Sequence, residues 1–204
     1  MASRPVLQFY AELQDYEPKI WRRFQVQDSI TYARLGYIIM TLFEMEATHL
    51  FCMDIPKKKV HYELPPSDMF CGEYDRIRGD RADEAKLFNG FVKPGDEIIS
   101  TYDFGAEWKI TIKLEKSEVD NETYGREFPK VVDGEGYGII ERCAGVDGLK
   151  NYSGEIDLTK FDIKDMAFRV KKVPRIYRDL YECDYAPSKR AIDILNRKYD
   201  LDKI

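Results

Sequence analysis

Apolar and polar residues alternate through Ile20 to Val26 (IWRRFQV), the period of a half-buried strand, and the apolar-rich Val6 to Leu13 (VLQFYAEL) before it also reads as a strand. Glu17-Pro18-Lys19 breaks the two runs and predicts a hairpin. The period then changes. Leu35, Ile38, Ile39, Leu42 and Phe43 fall at i, i+3, i+4, i+7 and i+8, one face of a helix that Thr31 can cap, and this apolar stripe is expected to lie on the sheet. Strand-like runs return at His49 to Met53 and Lys59 to Leu64, around a turn at Asp54 to Lys58. The order ββαββ predicts an α+β fold: a β-grasp-like mixed sheet crossed by one main helix.

Pro65 to Lys86 is polar and charge-dense and predicts an exposed loop. Alternation resumes at Asp96 to Tyr102 and Trp108 to Leu114, a second hairpin about Asp103-Phe104-Gly105, where Gly105 is expected to supply a positive φ. Phe128 to Leu149 is glycine-rich and predicts loop. From Phe161 the pattern is helical, and Ser188 can cap a last helix carrying Ile192, Leu195 and Tyr199 on one face. The expected organisation is an α+β domain over 1–155 and a helical extension over 156–204 packed on it.

Composition narrows the function more than it identifies it. With 204 residues, 44% of them hydrophobic, the chain can bury a sizeable core. Its net charge of −5 argues against a broad electrostatic attraction to nucleic acid. No apolar run approaches the ~20 residues of a membrane span, and Met1 to Pro5 lacks the apolar stretch of a secretory signal, so no membrane association and a cytoplasmic location are expected. Cys52, Cys71, Cys143 and Cys183 show no CxxC pairing, which in a reducing compartment predicts free structural thiols.

Two acidic pairs can be set out as candidate chemistry. Asp103 and Glu107 flank the second hairpin turn; a kinase-like reading of Asp103-Phe104-Gly105 fails without a glycine-rich phosphate loop or a catalytic-loop motif. The plainer reading has Asp103 bonding its own turn while Phe104 and Trp108 pack. Asp133 and Glu135 lie in a glycine-rich stretch whose spacing is far from a calcium loop, so a solvated loop is favoured over a cation site. Trp21-Arg22-Arg23 joins an aromatic to two cations and could contact an anion or nucleic acid, although alternation separates Arg22 from its neighbours and Trp21 is expected in the core. Lys57, Lys58 and Lys59 form a basic turn, and residues 170–204 hold nine Lys/Arg against six Asp/Glu. Only His49 and His61 could serve a Ser/His or Cys/His pair, and no GxSxG elbow or Walker loop is present.

Ile20-Trp21-Arg22-Arg23, Thr31 with Leu35, Ile38 and Ile39, His49-Leu50, Tyr102-Asp103-Phe104-Gly105 with Trp108, Phe128-Pro129, Asp133-Gly134-Glu135 and Cys143-Ala144-Gly145 occur in an order that resembles the plasmid pRiA4b ORF-3-like family over roughly residues 5–155. The resemblance implies a fold, a connection to plasmids and mobile elements, and no assigned reaction. Many members carry further His, Asp and Cys where this chain has Phe51, Ala106, Ile110, Val131 and Gly138. That leaves His49 and Cys143 as the matching soft ligands, so no metal and no cofactor are expected here. His49, Asp103, Glu107, Asp133, Glu135 and Cys143 together make the candidate cluster. Three functions follow: a non-catalytic binding or adaptor module with a protein partner, preferred; a DNA-binding protein associated with mobile elements; and a carboxylate-based or metal-assisted enzyme.

Overall fold

In the computed structural model, which describes residues 5–65, 78–89, 93–119, 127–152, 160–183 and 188–196, the chain folds as a sheet with its helices stacked on one side. Strands β1 (Pro5–Leu13) and β2 (Trp21–Gln27) form the first hairpin. Helix α1 (Tyr32–Leu42) follows, with the Thr31 hydroxyl accepting from the Arg34 N–H at 3.1 Å. Strands β3 (Phe51–Ile55) and β4 (Val60–Glu63) are joined by a 3-10 turn at Pro56–Lys58. Asp54 therefore belongs to a strand, and Lys59 in the left-handed region closes the turn.

Within the segment expected to be loop, β5 (Asp80–Arg81) pairs in parallel with β4. The carbonyls of Ala82 and Ala85 accept from the first N–H groups of α1, Ala33 and Tyr32, which a helix start otherwise leaves unpaired. Strands β6 (Glu97–Tyr102) and β7 (Trp108–Val119) form the second hairpin. The glycine-rich stretch is not mostly loop. It holds β8 (Lys130–Glu135) and the short helix α2 (Val146–Lys150), because β2 presents an open edge that β8 completes.

The eight strands run β5-β4-β3-β6-β7-β1-β2-β8, antiparallel except at β4–β5. The α+β class holds. The two halves of the predicted ββαββ unit do not meet, however: β6 and β7 stand between them at the centre of the sheet, where an appended hairpin was expected.

Helix α3 (Ile163–Glu182) lies over α1 with Met166, Val170, Val173, Tyr177 and Tyr181 buried, the stripe of an amphipathic helix. Tyr181 stacks on Tyr37 of α1 at 5.6 Å and meets Phe51 of β3 edge-on. Helix α1 is thus buried on both sides, and apart from Arg34 every residue from Tyr32 to Leu42 is inside. Helix α4 (Lys189–Leu195) is capped by Ser188 as expected, but its inner residues are Ala191 and Ile194 while Ile192 is exposed. Tyr199, Cys71 and most of Pro65 to Ile77 fall outside the described residues. Among the described residues no helix is long and apolar enough to cross a membrane.

Candidate functional site

The alternation of β2 is as expected, and its sides are reversed. Arg22 points inward and is fully buried, while Trp21 and Arg23 point to the face of the sheet opposite the helices. An inward arginine is tolerated here because backbone carbonyls surround it. Its guanidinium donates to Leu42 at the end of α1 (2.9 Å), to Trp21 (2.8 Å), to Glu135 (2.5 Å) and to Tyr137 (3.1 Å), and lies over the ring of Phe161. Trp21 is not in the core and Arg22 is not presented to an external anion.

On the open face Trp21 stacks on Tyr10 at 5.5 Å, and the Arg23 guanidinium lies 5.3 Å from the Trp21 ring and 5.6 Å from that of Tyr10. Arg23 also makes a two-point contact with Glu115, whose carboxyl it holds below the usual range, chiefly through those hydrogen bonds. Beside this stack is a groove of about 530 Å³, lined by Pro18, Trp21, Tyr137 and Phe161 with Lys19 and Lys160 at its margin. Gly134 and Gly136 form part of its wall for a steric reason. A Cβ on Gly134 would come within 2.9 Å of Arg22 and Phe161, and Gly136 has φ +86°.

The acidic cluster divides. Glu135 accepts from the Trp21 indole N–H at 3.3 Å, and Asp133 accepts from the Gly134 N–H, both on the edge strand β8. They sit in a strand where a solvated loop was expected. Asp103 lies at the end of β6, four strand positions away, about 19 Å at ~4.8 Å per strand. There it adopts φ 56° and accepts from Gly105 N–H (3.0 Å) and Ala106 N–H (3.3 Å). Asp103 and Glu107 take the left-handed conformation that was assigned to Gly105, and Phe104 is exposed where packing was expected. Glu107 pairs with Lys109.

His49 is neither a core nor a sheet-edge residue. It precedes β3 with a half-exposed side chain, its Nε2 3.7 Å from Asp103, beyond hydrogen-bond range. Next to it the Tyr102 hydroxyl donates to Glu141 at 3.1 Å and accepts from the Thr48 N–H at 3.0 Å. Tyr177 and Tyr181 donate to the carbonyls of Met45 and His49. Three tyrosines thereby pin the loop that leaves α1. Cys143, half-buried rather than buried, ends the 3-10 turn that carries Glu141, and burial pushes its thiol pKa up, the opposite of an activated nucleophile. Of the basic candidates, Arg22 and Arg23 are engaged and Lys57 pairs with Asp96 at 2.7 Å, while Lys58 and Lys59 are exposed at the turn.

Sequence inspection missed a second constellation. Cys52 and Asp54 on β3 face Glu63 and His61 on β4 in register, four polar side chains on one face of one hairpin. His61 Nδ1 is 2.6 Å from Asp54, its Nε2 is 2.8 Å from Glu63, and Cys52 Sγ is 3.9 Å from Asp54. Burial opposes a charged His61, and the hydrogen bonds to Glu63 and Asp54 outweigh it, so its pKa is raised. Burial, with Asp54 and Glu63 nearby, pushes the Cys52 thiol up to about 12. The signal was the paired spacing Cys-x-Asp and His-x-Glu on two strands predicted to be adjacent.

The positions at which this chain lacks the soft ligands of its resemblance include Phe51, Ile110 and Val131, all buried in the core. No curated protein matches the chain. Among solved structures, the crystal structure of the protein of unknown function MM3350 from Methanosarcina mazei Go1 is similar with a TM-score of 0.64 and 25% identity, over 80% of this chain and 97% of that one. The plasmid pRiA4b ORF-3-like protein family matches residues 5–166, all eight strands of the sheet together with α1, α2 and the start of α3, and the chain belongs to that family.

Proposed function

We propose that the protein is a non-catalytic binding module that holds an extended segment of a partner protein in the Trp21 groove and across the Tyr10–Trp21 stack. The observation that carries this reading is a partly exposed tryptophan, stacked and cation-backed, on an otherwise polar sheet face beside a preformed groove of about 530 Å³. Trp, Tyr and Arg are the residues that most often dominate protein interfaces, and aromatic- and proline-lined grooves suit extended chains. Strand addition to β8 is less favoured, because the Phe161 N–H already donates to the Gly136 carbonyl just past the end of that strand. Lys160 and the Glu135 carboxylate both line the groove, and Lys19 there already pairs with Glu12 at 3.0 Å, so the lining favours an apolar anchor rather than a strongly charged one. A cytoplasmic setting is part of this reading.

DNA binding is the second reading and has less behind it. Arg22 is buried, Arg23 is neutralised by Glu115, and Glu12, Asp133 and Glu135 share the open face. A carboxylate enzyme would need Asp103 and Glu107 beside Asp133 and Glu135, which the strand order keeps apart.

The test is selection of a displayed peptide library on the full chain and on Trp21→Ala and Tyr137→Ala, with Lys58→Ala as control. Enrichment of aromatic- or proline-containing peptides on the parent and the control, with affinity lowered at least tenfold in both groove variants, is the expected result. No enrichment, or the same peptides on all four proteins, overturns the proposal. Binding of duplex DNA with a steep salt dependence would instead favour the second reading.

A further inference from the structure

The β3–β4 hairpin carries a cluster that the groove does not use. Antiparallel pairing sets Cys52 against Glu63 and Asp54 against His61, and the two-residue period of each strand turns all four side chains to one face. A sulfur, a carboxylate oxygen and an imidazole nitrogen, from Cys52, Asp54 and His61, lie within 4.8 Å of one another; among the described residues these are the three soft and hard donors that meet this closely.

We infer that this face is a divalent transition-metal site of the zinc type, with Cys52 Sγ, Asp54 Oδ and His61 Nδ1 as ligands and Glu63 as the group that orients His61. Three features of the geometry support the assignment. First, tetrahedral ligands around zinc stand about 3.5 Å apart for bond lengths of ~2.0–2.3 Å. Cys52 and Asp54, at 3.9 Å, are close to that spacing already, and Asp54 and His61 at 2.6 Å need only part by about 1 Å as the proton between them gives way to the ion. Second, the far ring nitrogen of His61 is held by Glu63 at 2.8 Å, and the other oxygen of Glu63 accepts from the Arg78 N–H at 2.9 Å. Metal-bound histidines are held in this way by a carboxylate on the opposite nitrogen, which sets the tautomer and the ring angle. Third, residue 79 is glycine where a Cβ would stand 2.2 Å from the His61 carbonyl oxygen and 2.7 Å from its ring, so the chain lies close over the imidazole.

A mixed S, N and O donor set selects Zn²⁺, Co²⁺ or Ni²⁺ over Mg²⁺ and Ca²⁺. Asp54 and Glu63 both lie against the one His61 ring, so the site brings two carboxylates to the cation. Binding releases the Cys52 thiol proton to solvent and takes His61 as neutral imidazole, since the bound forms are thiolate and neutral imidazole.

The test is titration of the metal-free full chain with Co²⁺ alone, followed by competition with Zn²⁺. The expected result is one Co²⁺ per chain, with a near-ultraviolet thiolate-to-metal band and visible bands of tetrahedral cobalt, displaced by Zn²⁺. Cys52→Ser removes the thiolate band; Asp54→Asn and His61→Gln lower affinity at least tenfold; Glu63→Gln lowers it by about 10–100-fold. His49→Gln and Cys143→Ser leave it unchanged. Circular dichroism of each variant separates loss of ligand from loss of fold, and Glu63→Gln, which keeps every ligand, still reads out if another variant does not fold. No saturable binding, binding without a thiolate band, or binding lost with His49→Gln and kept in His61→Gln overturns the inference.

Discussion

The guanidinium of Arg22 lies 4.6 Å from the centre of the Phe161 ring while its Nε donates to the Leu42 carbonyl at 2.9 Å, so one buried side chain ties β2 to the end of α1 and to the segment leading into α3. The helix end supplies partial negative charge, and the other carbonyls share the remaining donors.

Replacing Arg22 by Met keeps much of the volume and leaves those carbonyls without a partner. The expected loss is about 3–5 kcal/mol in urea unfolding, the range for stripping one side from a buried charged network. Arg22→Lys keeps the charge but not the fork, and is expected to recover less than half of it. A change below about 1 kcal/mol in Arg22→Met would contradict the role given to this residue.

Gly36 sits in the middle of α1, where alanine is ordinarily better by ~1 kcal/mol. Here a Cβ would stand 2.2 Å from Phe51 Cε2, and Phe51 is boxed in by Tyr37 and Tyr181. Packing is expected to decide the sign: Gly36→Ala destabilises by about 1–3 kcal/mol, read as a lower urea midpoint.

The turn between β6 and β7 separates two explanations of Asp103. If Asp103 is there to accept from Gly105 and Ala106, then Asp103→Ala costs about 1–2 kcal/mol of stability. Gly105→Ala is then nearly silent, within about 0.5 kcal/mol, since Gly105 does not have positive φ and its closest neighbour to a Cβ is the Asp103 carboxylate at 3.4 Å. The reverse order of effects would point away from a structural turn.

Burial holds the Glu141 carboxyl above its ordinary value of 4.5, against the opposing donations from the Glu46 N–H and the Tyr102 hydroxyl. The folded chain then keeps this proton to higher pH than the unfolded chain does. Its contribution to stability is full below about pH 4.5 and declines as pH rises through the raised value. Unfolding of the parent and of Glu141→Gln between pH 4 and 7 should show the parent losing ground to the variant across that window and then running parallel. A constant difference, or one that grows with pH, would contradict the assignment.

Much of the architecture was legible in local pattern. The helix from Tyr32 to Leu42 follows from a 3.6-residue stripe and a threonine cap, and the hairpins at β1–β2, β3–β4 and β6–β7 follow from alternation around Pro, Lys or Gly turns, because these signals act within a few residues of chain. The helical character of the C-terminal segment and the family were legible too, the family from the order of short motifs along much of the chain. Alternation also separated Arg22 from Trp21 and Arg23, yet it carries no label for inside. Four carbonyls brought by α1, β2, β8 and the segment after it made the inward place hospitable to a guanidinium. The same limit hid β8, since a strand with three glycines nearby pairs only because β2 has a free edge. Which face is buried, which edge is filled and which side chains meet are properties of long-range pairing, where residues distant in sequence supply the partners; no window of local pattern contains them.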